Sequence, residues 1–202
     1  MYSPNPFRIE DISILKQFVK SNGFATLVST KNTNPLATHI PLYIEERGSK
    51  YILVGHMSRA NEQSKALENE SNVLAIFYGA QGYISAYAKD PEELKITPTY
   101  DYQIVHAKGK LEFVSRDKLE KSLYKLMGIY EKGQPKEMDL SKYPKASLER
   151  SLDAIIGFEI EVDEWLGCFR LNQNRTKEER EHIKQCVEEN TSLVKAIDDF
   201  NR

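Results

Sequence analysis

The sequence contains few of the residues that disulfide frameworks, zinc sites and membrane spans require. Its 202 residues include two cysteines, Cys168 and Cys186, which lie far apart without a CxxC spacing. This usage argues against a disulfide framework or a zinc site and is typical of a reducing compartment. No stretch approaches the roughly 18 apolar residues that cross a membrane, and residues 1–14 lack the apolar run of a signal peptide. We therefore expect a cytoplasmic protein without a membrane segment.

The chain also lacks an excess of positive charge. Lysine and arginine number 28 against 30 aspartates and glutamates, which gives a formal net charge of -2. Proteins that hold nucleic acid by phosphate neutralisation carry a basic excess or a basic face. The charge therefore does not support nucleic-acid binding, although a local basic patch remains open. With 40% hydrophobic and 29% charged residues, the composition is that of an ordinary globular protein.

The spacing of apolar residues predicts an antiparallel sheet with a few helices. Strands are expected at residues 24–30, 36–45, 51–55, 73–78, 82–87, 102–114 and 154–162. Helices are expected after Asp11, over residues 61–69 and 116–130, and after a capping box formed by Thr176 and Glu179. Strand–helix–strand repeats are too few for a doubly wound sheet. The pattern therefore favours an α+β protein with a closed or partly closed antiparallel barrel.

No repeat or low-complexity tract divides the chain. We expect a single domain over residues 1–202, with a C-terminal helical extension over about residues 176–202. Residues 89–95 are expected to form a charged loop, and residues 133–143 to be the least regular stretch. Gly109 lies inside a predicted strand, where it is expected to mark a bulge or bend.

Polar donors are concentrated at residues 55–65, where a predicted strand gives way to a helix. Backbone N–H groups at the start of a helix are unpaired and favour anions. Hydroxyl, guanidinium and amide side chains follow one another there: Ser58, Arg59, Asn61 and Gln63. Arginine in particular matches the geometry of a phosphate. The alternative is a polar loop that caps a helix and leaves Arg59 in solvent.

Three further segments carry polar or aromatic side chains, and each has a structural alternative. Pro41 interrupts a strand, so the backbone near His39 could bind a planar heterocycle, or the strand could be an edge with a surface histidine. The tyrosines of residues 97–106 could stack on a flat ligand or fill a barrel interior. The amide-rich residues 169–175 could bind a ligand or complete a turn.

No catalytic constellation stands out. His39, His56 and His106 lack the HxxxH or HxH spacing of metal ligands. GxSxG, Walker and GxGxxG motifs are absent. Cys168 suits a buried apolar position better than a nucleophile. We therefore assign no metal site, and the catalytic residues remain unknown.

Taken in order, these segments resemble the PaiB-like family. The matching pieces are MYSP at residues 1–4, FATLVS at 24–29, THIPL at 38–42, GHMSRAN at 55–61, AIF at 75–77, YIS at 83–85, VH at 105–106 and IGFEI at 156–160. Each piece alone is weak, but the ordered set is specific and covers nearly the whole chain.

The chain departs from the family pattern at three places. The family pair Trp-Tyr is replaced by Ala-Tyr-Ala at residues 86–88. The family segment Pro-Thr-Trp-Asn-Tyr reads Pro-Thr-Tyr-Asp-Tyr at residues 98–102. The family segment Leu-Ser-Gln-Asn reads Leu-Asn-Gln-Asn at residues 171–174.

The resemblance implies an FMN-binding split β-barrel that forms a homodimer with the flavin at the subunit interface. It implies that the flavin phosphate lies near Ser58, Arg59, Asn61 and Gln63. The residues implied beside the flavin ring are Thr38, His39, Ile40 and Pro41, with His56 and Met57 shaping the pocket. The residues implied to come from the opposite subunit are Pro98, Thr99, Tyr102, Asn172 and Gln173.

The resemblance leaves the function between two classes and one alternative. Some relatives are described as negative transcriptional regulators, which implies an FMN-dependent regulator, and a weak FMN-dependent oxidoreductase remains open. The predicted helices at residues 116–130 and 176–189 mix both charge signs, so regulation through a protein partner fits better than direct DNA contact. The alternative is a haem-binding or haem-degrading split barrel with His39, His56 or His106 as axial ligand.

Overall fold

The computed structural model describes residues 1–88 and 97–201, so the charged loop predicted at residues 89–95 lies outside the described residues. The strands are β1 Arg8–Ile9, β2 Phe24–Lys31, β3 Asn34–Pro41, β4 Tyr43–Arg47, β5 Lys50–Ser58, β6 Ser71–Ile84, β7 Thr99–Phe113 and β8 Ile155–Arg170. The α-helices are α1 Ile12–Ser21, α2 Glu62–Ala66, α3 Arg116–Glu131, α4 Lys145–Ala154, α5 Lys177–Cys186 and α6 Thr191–Phe200.

The strands form one sheet in the order β3-β2-β6-β7-β8-β5-β4, and β1 pairs with β8. The pairs β1/β8, β2/β3, β4/β5 and β5/β8 are antiparallel. The order begins at β3 and ends at β4 without returning, so within the described residues the sheet is not closed. The antiparallel sheet predicted from the sequence is confirmed in its partly closed form.

The chain divides into two compact units that share three long strands. The first unit comprises Met1–Phe18, Phe77–His106 and Trp165–Arg202, and the second comprises Val19–Ile76 and Ala107–Glu164. Strands β6, β7 and β8 each contribute one part to either unit. The two groups of candidate site residues are therefore described unit by unit.

In the second unit, apolar residues of the strands pack against α3 and α4. Its most deeply buried side chains are Leu27, Leu42, Leu53, Phe158 and Ile160. Leu126 of α3 packs with Tyr43, Ile52 and Val54, and Leu119 packs with Leu148 and Leu152 of α4. Gly109 marks a close approach in β7, because an added Cβ would lie 2.0 Å from the carbonyl oxygen of Glu161.

In the first unit, helices pack through aromatic side chains. The ring of Phe169 in β8 lies 5.0 Å from Phe18 and 5.4 Å from Phe200 of α6. Both helix starts expected from the sequence are confirmed. Asp11 accepts a hydrogen bond from the N–H of Ser13 at 2.7 Å before α1, and the capping box of Thr176 with Glu179 opens α5.

Three boundaries differ from the prediction. The strand expected over residues 36–45 is split into β3 and β4, because Pro41 has no N–H and the N–H of Leu42 bonds the carbonyl of Gly23 at 2.8 Å. The strands expected at residues 73–78 and 82–87 form the single strand β6. Helix α4 was not predicted. None of the helices in the described part of the chain has the length and apolar character to span a bilayer.

Candidate functional site

The junction between β5 and α2 lies in the second unit and carries the densest group of predicted site residues. Strand β5 ends at Ser58, and α2 begins at Glu62. Met57 is 2% exposed, so its side chain packs in the core, whereas Ser58 and Arg59 are exposed. An added Cβ at Gly55 would lie 2.4 Å from the Cδ2 of Leu42, which shows how closely this strand is packed.

The backbone N–H groups of this junction are already used inside the protein. The N–H of Ala60 bonds the Oγ of Ser58 at 3.1 Å, and the N–H of Asn61 bonds the carbonyl of Ser58 at 3.1 Å. The N–H of Gln63 bonds the Oδ1 of Asn61 at 2.8 Å, which makes Asn61 the N-cap of α2. The expectation that free backbone N–H groups attract an anion here is therefore wrong for these three groups.

Two side-chain donors remain available at the junction. The Oγ of Ser58 accepts a hydrogen bond from Ala60, so its hydroxyl hydrogen is left to donate. The guanidinium of Arg59 forms no hydrogen bond or ion pair with the other residues that the structure describes. Its backbone is fixed, because the N–H of Arg59 bonds the carbonyl of Ala154 at 2.9 Å. A hydroxyl and a guanidinium on adjacent, anchored residues match the chemistry of a phosphate.

Hydrogen bonds join this junction to β2 and β3. The Nδ2 of Asn61 donates to the Oγ1 of Thr38 at 2.8 Å. Gln63 is 2% exposed, and its Nε2 donates to the Oγ of Ser29 at 2.9 Å and to the carbonyl of Leu27 at 3.2 Å. Asn61 and Gln63 therefore act here as tethers, and the amide donors of Gln63 face the protein interior.

Strand β3 stands at one end of the sheet order, as expected for an edge strand. The side chain of His39 is exposed, and its Nδ1 lies 2.9 Å from the Oγ1 of Thr26 on β2. Ile40 is buried, while Thr38 and Pro41 are half-buried. The edge therefore presents an anchored histidine next to an apolar position.

His56 is half-buried near the end of β5. It lies opposite Gly157 of β8 in the strand register. Burial lowers the pKa of His56 because the charged imidazolium is disfavoured away from water. The imidazole is therefore neutral at neutral pH, which suits a residue that shapes a pocket.

The second group of predicted site residues lies in the first unit, where β7 begins and β8 ends. Pro98 is exposed and Thr99 begins β7. Between Thr99 and Tyr102, Asp101 is 0% exposed and accepts a hydrogen bond from the Nδ2 of Asn172. The Oδ1 of Asp101 has no hydrogen-bond partner among the described residues.

Burial raises the pKa of Asp101 from its ordinary value of 3.8 to about 6. Arg170, the hydrogen bond from Asn172 and Arg175 act in the opposite direction, in that order of strength. The Nε of Arg170 lies 3.9 Å from the Oδ1 of Asp101. The carboxyl group therefore changes its charge close to neutral pH.

The turn after β8 is held by its own amides. Gln173 accepts a hydrogen bond from the N–H of Leu171 at 2.7 Å and donates to the carbonyl of Phe169. Asn172 adopts a left-handed conformation with φ 61°, which asparagine tolerates better than most residues. The structural alternative for this amide-rich segment, a turn that satisfies itself, is confirmed for these bonds.

Tyr102 is half-buried and lies beside a cysteine. The Sγ of Cys168 lies 3.7 Å from the hydroxyl of Tyr102, and burial raises the pKa of that phenol. Cys168 is buried, as expected for an apolar position. No group of three or more His, Cys, Asp or Glu side chains in residues 1–88 and 97–201 could hold a metal ion.

Sequence reasoning missed two side chains that build these sites. Thr26 binds His39 from the neighbouring strand, although it looks in the sequence like part of an apolar run. Arg170 lies beside Asp101, and the two are distant in the sequence. The available signal was weak: a hydroxyl in an apolar strand, and an arginine next to an amide-rich turn.

Comparison with known proteins identifies the family. The family model described as "Putative FMN-binding domain" matches residues 1–164. The chain belongs to this family. It is also 33% identical over 177 residues to "Protease synthase and sporulation protein PAI 2" of Bacillus subtilis (strain 168), covering 88% of this chain and 84% of that protein. The PaiB-like FMN-binding family expected from the sequence is therefore confirmed, with FMN as its cofactor.

Solved structures of other proteins share the fold. The FAD and heme binding protein from Mycobacterium smegmatis superposes with a TM-score of 0.60 at 18% identity, covering 81% of this chain and 73% of that chain. The flavocytochrome Anf3 from Azotobacter vinelandii gives a TM-score of 0.60 at 15% identity, covering 81% and 69%. At such low identity these likenesses establish the split-barrel fold and nothing about the ligand.

Two departures from the family pattern contact each other. Asp101 stands where the pattern has asparagine, and Asn172 stands where it has serine. These two side chains share the hydrogen bond that links the start of β7 to the turn after β8. The two changes therefore form one local rearrangement.

Proposed function

We propose that this PaiB-like protein holds the phosphate of FMN at the junction of β5 and α2, through Ser58 and Arg59. The observation that carries the proposal is the hydrogen bond from Asn61 to Thr38, which joins this junction to the edge strand β3. It brings an exposed hydroxyl and guanidinium into one connected surface with His39 and Ile40. A phosphate group and a flat ring need such a surface.

The side-chain donors fit a phosphate better than the backbone does. Arginine donates two parallel hydrogen bonds to phosphate oxygens, and a serine hydroxyl adds a neutral donor. The N–H groups of Ala60, Asn61 and Gln63 are occupied. Gln63 supports the site from behind, because its amide tethers α2 to β2.

The edge of β3 suits the flavin ring. An edge strand offers backbone donors and acceptors that the sheet does not use. Thr38, Ile40 and Pro41 would present that edge, with His39 held by Thr26. His56, neutral and half-buried, would limit the pocket on the side of β5.

We place the flavin at the interface of a homodimer. In this arrangement the second copy supplies Pro98, Thr99 and Tyr102 from the start of β7, together with Asn172 and Gln173 from the turn after β8. Several exposed aromatic side chains support such an interface, including Phe24, Tyr83 and Tyr100, which are 62%, 57% and 51% exposed. Exposed apolar surface of this kind often marks a site of association.

FMN supplies hydride or single-electron transfer when it is bound. The residues of this chain bind the phosphate, orient the ring and limit the access of water. We propose a regulatory role in the cytoplasm, as the name of the Bacillus relative suggests, with a weak oxidoreductase as the second candidate. Both cysteines are free thiols, which supports a reducing compartment. The net charge of -2 favours a protein partner over direct contact with DNA.

The experiment is a titration of the purified protein with FMN, riboflavin and haem, followed by visible absorption and flavin fluorescence. We expect FMN to bind more tightly than riboflavin, because only FMN carries the phosphate. Equal affinities would contradict the phosphate site, and no spectral change with either flavin would contradict the whole proposal. A Soret shift with haem in the absence of flavin binding would favour the haem alternative.

A further inference from the structure

Asp101 joins two segments that are distant in the sequence. It lies in β7 with 0% exposure, and its Oδ2 accepts a hydrogen bond from the Nδ2 of Asn172, which sits in the turn after β8. Asn172 holds a left-handed backbone conformation with φ 61°. The side-chain contact therefore fixes a turn whose backbone is unusual.

The second oxygen of the carboxylate is left without a hydrogen bond. The Oδ1 of Asp101 is buried and unpartnered within the described residues, and the Nε of Arg170 lies 3.9 Å away. Arg170 is itself placed over the ring of Phe7, with 5.3 Å from its Cζ to the ring centroid. A buried anion with an incomplete shell of donors is costly and is retained in proteins mostly for a purpose.

The charged groups that act on Asp101 come from two segments. Arg170 belongs to β8, and Arg175 belongs to the turn that follows it. The titratable neighbours are Tyr102, adjacent in the sequence, and Cys168, which contacts Tyr102. Both neighbours are neutral below pH 7, so the carboxyl group of Asp101 is the titrating group of this cluster in mildly acidic solution.

We infer that Asp101 is a positioning residue whose ionised carboxylate fastens the start of β7 to the turn after β8, and that its protonation weakens FMN binding. The inference rests on the proposed function, in which these two segments of one copy complete the flavin site of the other. The ionised form attracts Arg170 and strengthens the hydrogen bond from Asn172. The protonated form loses both effects, and the two segments separate more easily.

The pH range follows from the burial of this group. Because burial raises the pKa of Asp101 to about 6, the fastening is complete above that pH and is lost as the pH falls through it. A phosphate monoester such as FMN also titrates at about pH 6. Riboflavin lacks that phosphate, so it separates the titration of the protein from that of the ligand.

The experiment measures the dissociation constants of FMN and riboflavin for the full chain at about pH 7.5 and about pH 5. It compares the wild type with Asp101→Asn, which keeps the shape of the side chain and removes its charge. Asp163→Asn is the matched control, because Asp163 is an exposed aspartate of β8. We expect the wild type and the control to lose about tenfold more affinity than Asp101→Asn on acidification, with either flavin.

Each outcome separates this inference from the proposed function. If the wild type binds neither flavin at either pH, the proposed function fails. If it binds FMN but its pH profile matches that of Asp101→Asn, the role of Asp101 is refuted while the site stands. Should Asp101→Asn not fold, Asn172→Gly replaces it, since glycine suits the left-handed backbone and removes only the donor. That variant must then show a weakened pH profile, and an unchanged profile would refute the inference.

Discussion

Replacing Asp101 by asparagine should change how the stability of the apoprotein depends on pH. The substitution removes one titrating group and retains an oxygen that can accept the hydrogen bond from Asn172. Its constant cost or gain, whatever the new amide contacts, is the same at every pH. The difference between variant and wild type, followed across pH, therefore isolates the ionisation of Asp101.

The magnitude follows from the pKa of the buried carboxyl. Burial raises it from 3.8 to about 6, so between these values the folded chain holds a proton that the unfolded chain has released. The stability that the neutral carboxyl contributes is fully present below pH 3.8 and is lost as the pH rises through about 6. A shift of this size corresponds to about 3 kcal/mol in the free energy of unfolding, of which about 2 kcal/mol falls between about pH 4.5 and pH 8.

Urea unfolding of both proteins, monitored by circular dichroism at several pH values, measures this difference. Asp101→Asn should gain about 2 kcal/mol relative to the wild type on going from about pH 4.5 to pH 8. Asp163→Asn should follow the wild type, because Asp163 is exposed. Parallel curves for Asp101→Asn and the wild type would refute the reasoning, since they would mean that Asp101 does not titrate in this range.

Two other substitutions test the packing around the candidate site. Gly109→Ala should cost more than about 3 kcal/mol or abolish folding, because the new Cβ would meet the carbonyl oxygen of Glu161 at 2.0 Å. Gly48→Ala has open space and only a left-handed φ of 62° against it, so a cost of about 1 kcal/mol in the same urea assay is expected, and equal costs would contradict the close approach. Gln63→Leu should cost about 2 kcal/mol in the same assay because Ser29 loses a buried donor, and an unchanged stability would remove Gln63 as a tether.

Local signals in the sequence predicted the elements whose ends depend on neighbouring residues. Asp11 before α1 and the Thr176–Glu179 box before α5 are contacts within two or three positions, and both are present. The polar-turn alternative for residues 55–65 was likewise decided by short contacts among Ser58, Asn61 and Gln63.

Strand boundaries could not be predicted where glycine serves packing. Residues 73–78 and 82–87 looked like two strands because Gly79 and Gly82 lie at or near the gap between them. In the structure an added Cβ at Gly79 would lie 2.6 Å from the Cε2 of Phe18, and one at Gly82 would lie 2.8 Å from the Cδ2 of Leu193. Each glycine therefore makes room for a distant side chain, and the strand continues through it.

The candidate site was predicted as a set of residue types and not as a set of contacts. Gln63 belongs to the donor-rich segment, yet its amide binds Leu27, which lies 36 positions earlier in the chain. Asp101 and Asn172 are 71 positions apart, and no local pattern indicates their hydrogen bond. Such pairings are decided by the sheet order, which the sequence does not display.

The account depends most on Arg59 as the residue that binds the FMN phosphate. The decisive measurement is the dissociation constant of FMN and of riboflavin for Arg59→Gln, with Arg150→Gln on α4 as the matched control. A charge-assisted hydrogen bond contributes about 1.5–3 kcal/mol, so Arg59→Gln should weaken FMN binding by about tenfold or more and leave riboflavin binding unchanged. Arg150→Gln should change neither. If Arg59→Gln weakens both flavins equally, or neither, the phosphate does not lie at this junction.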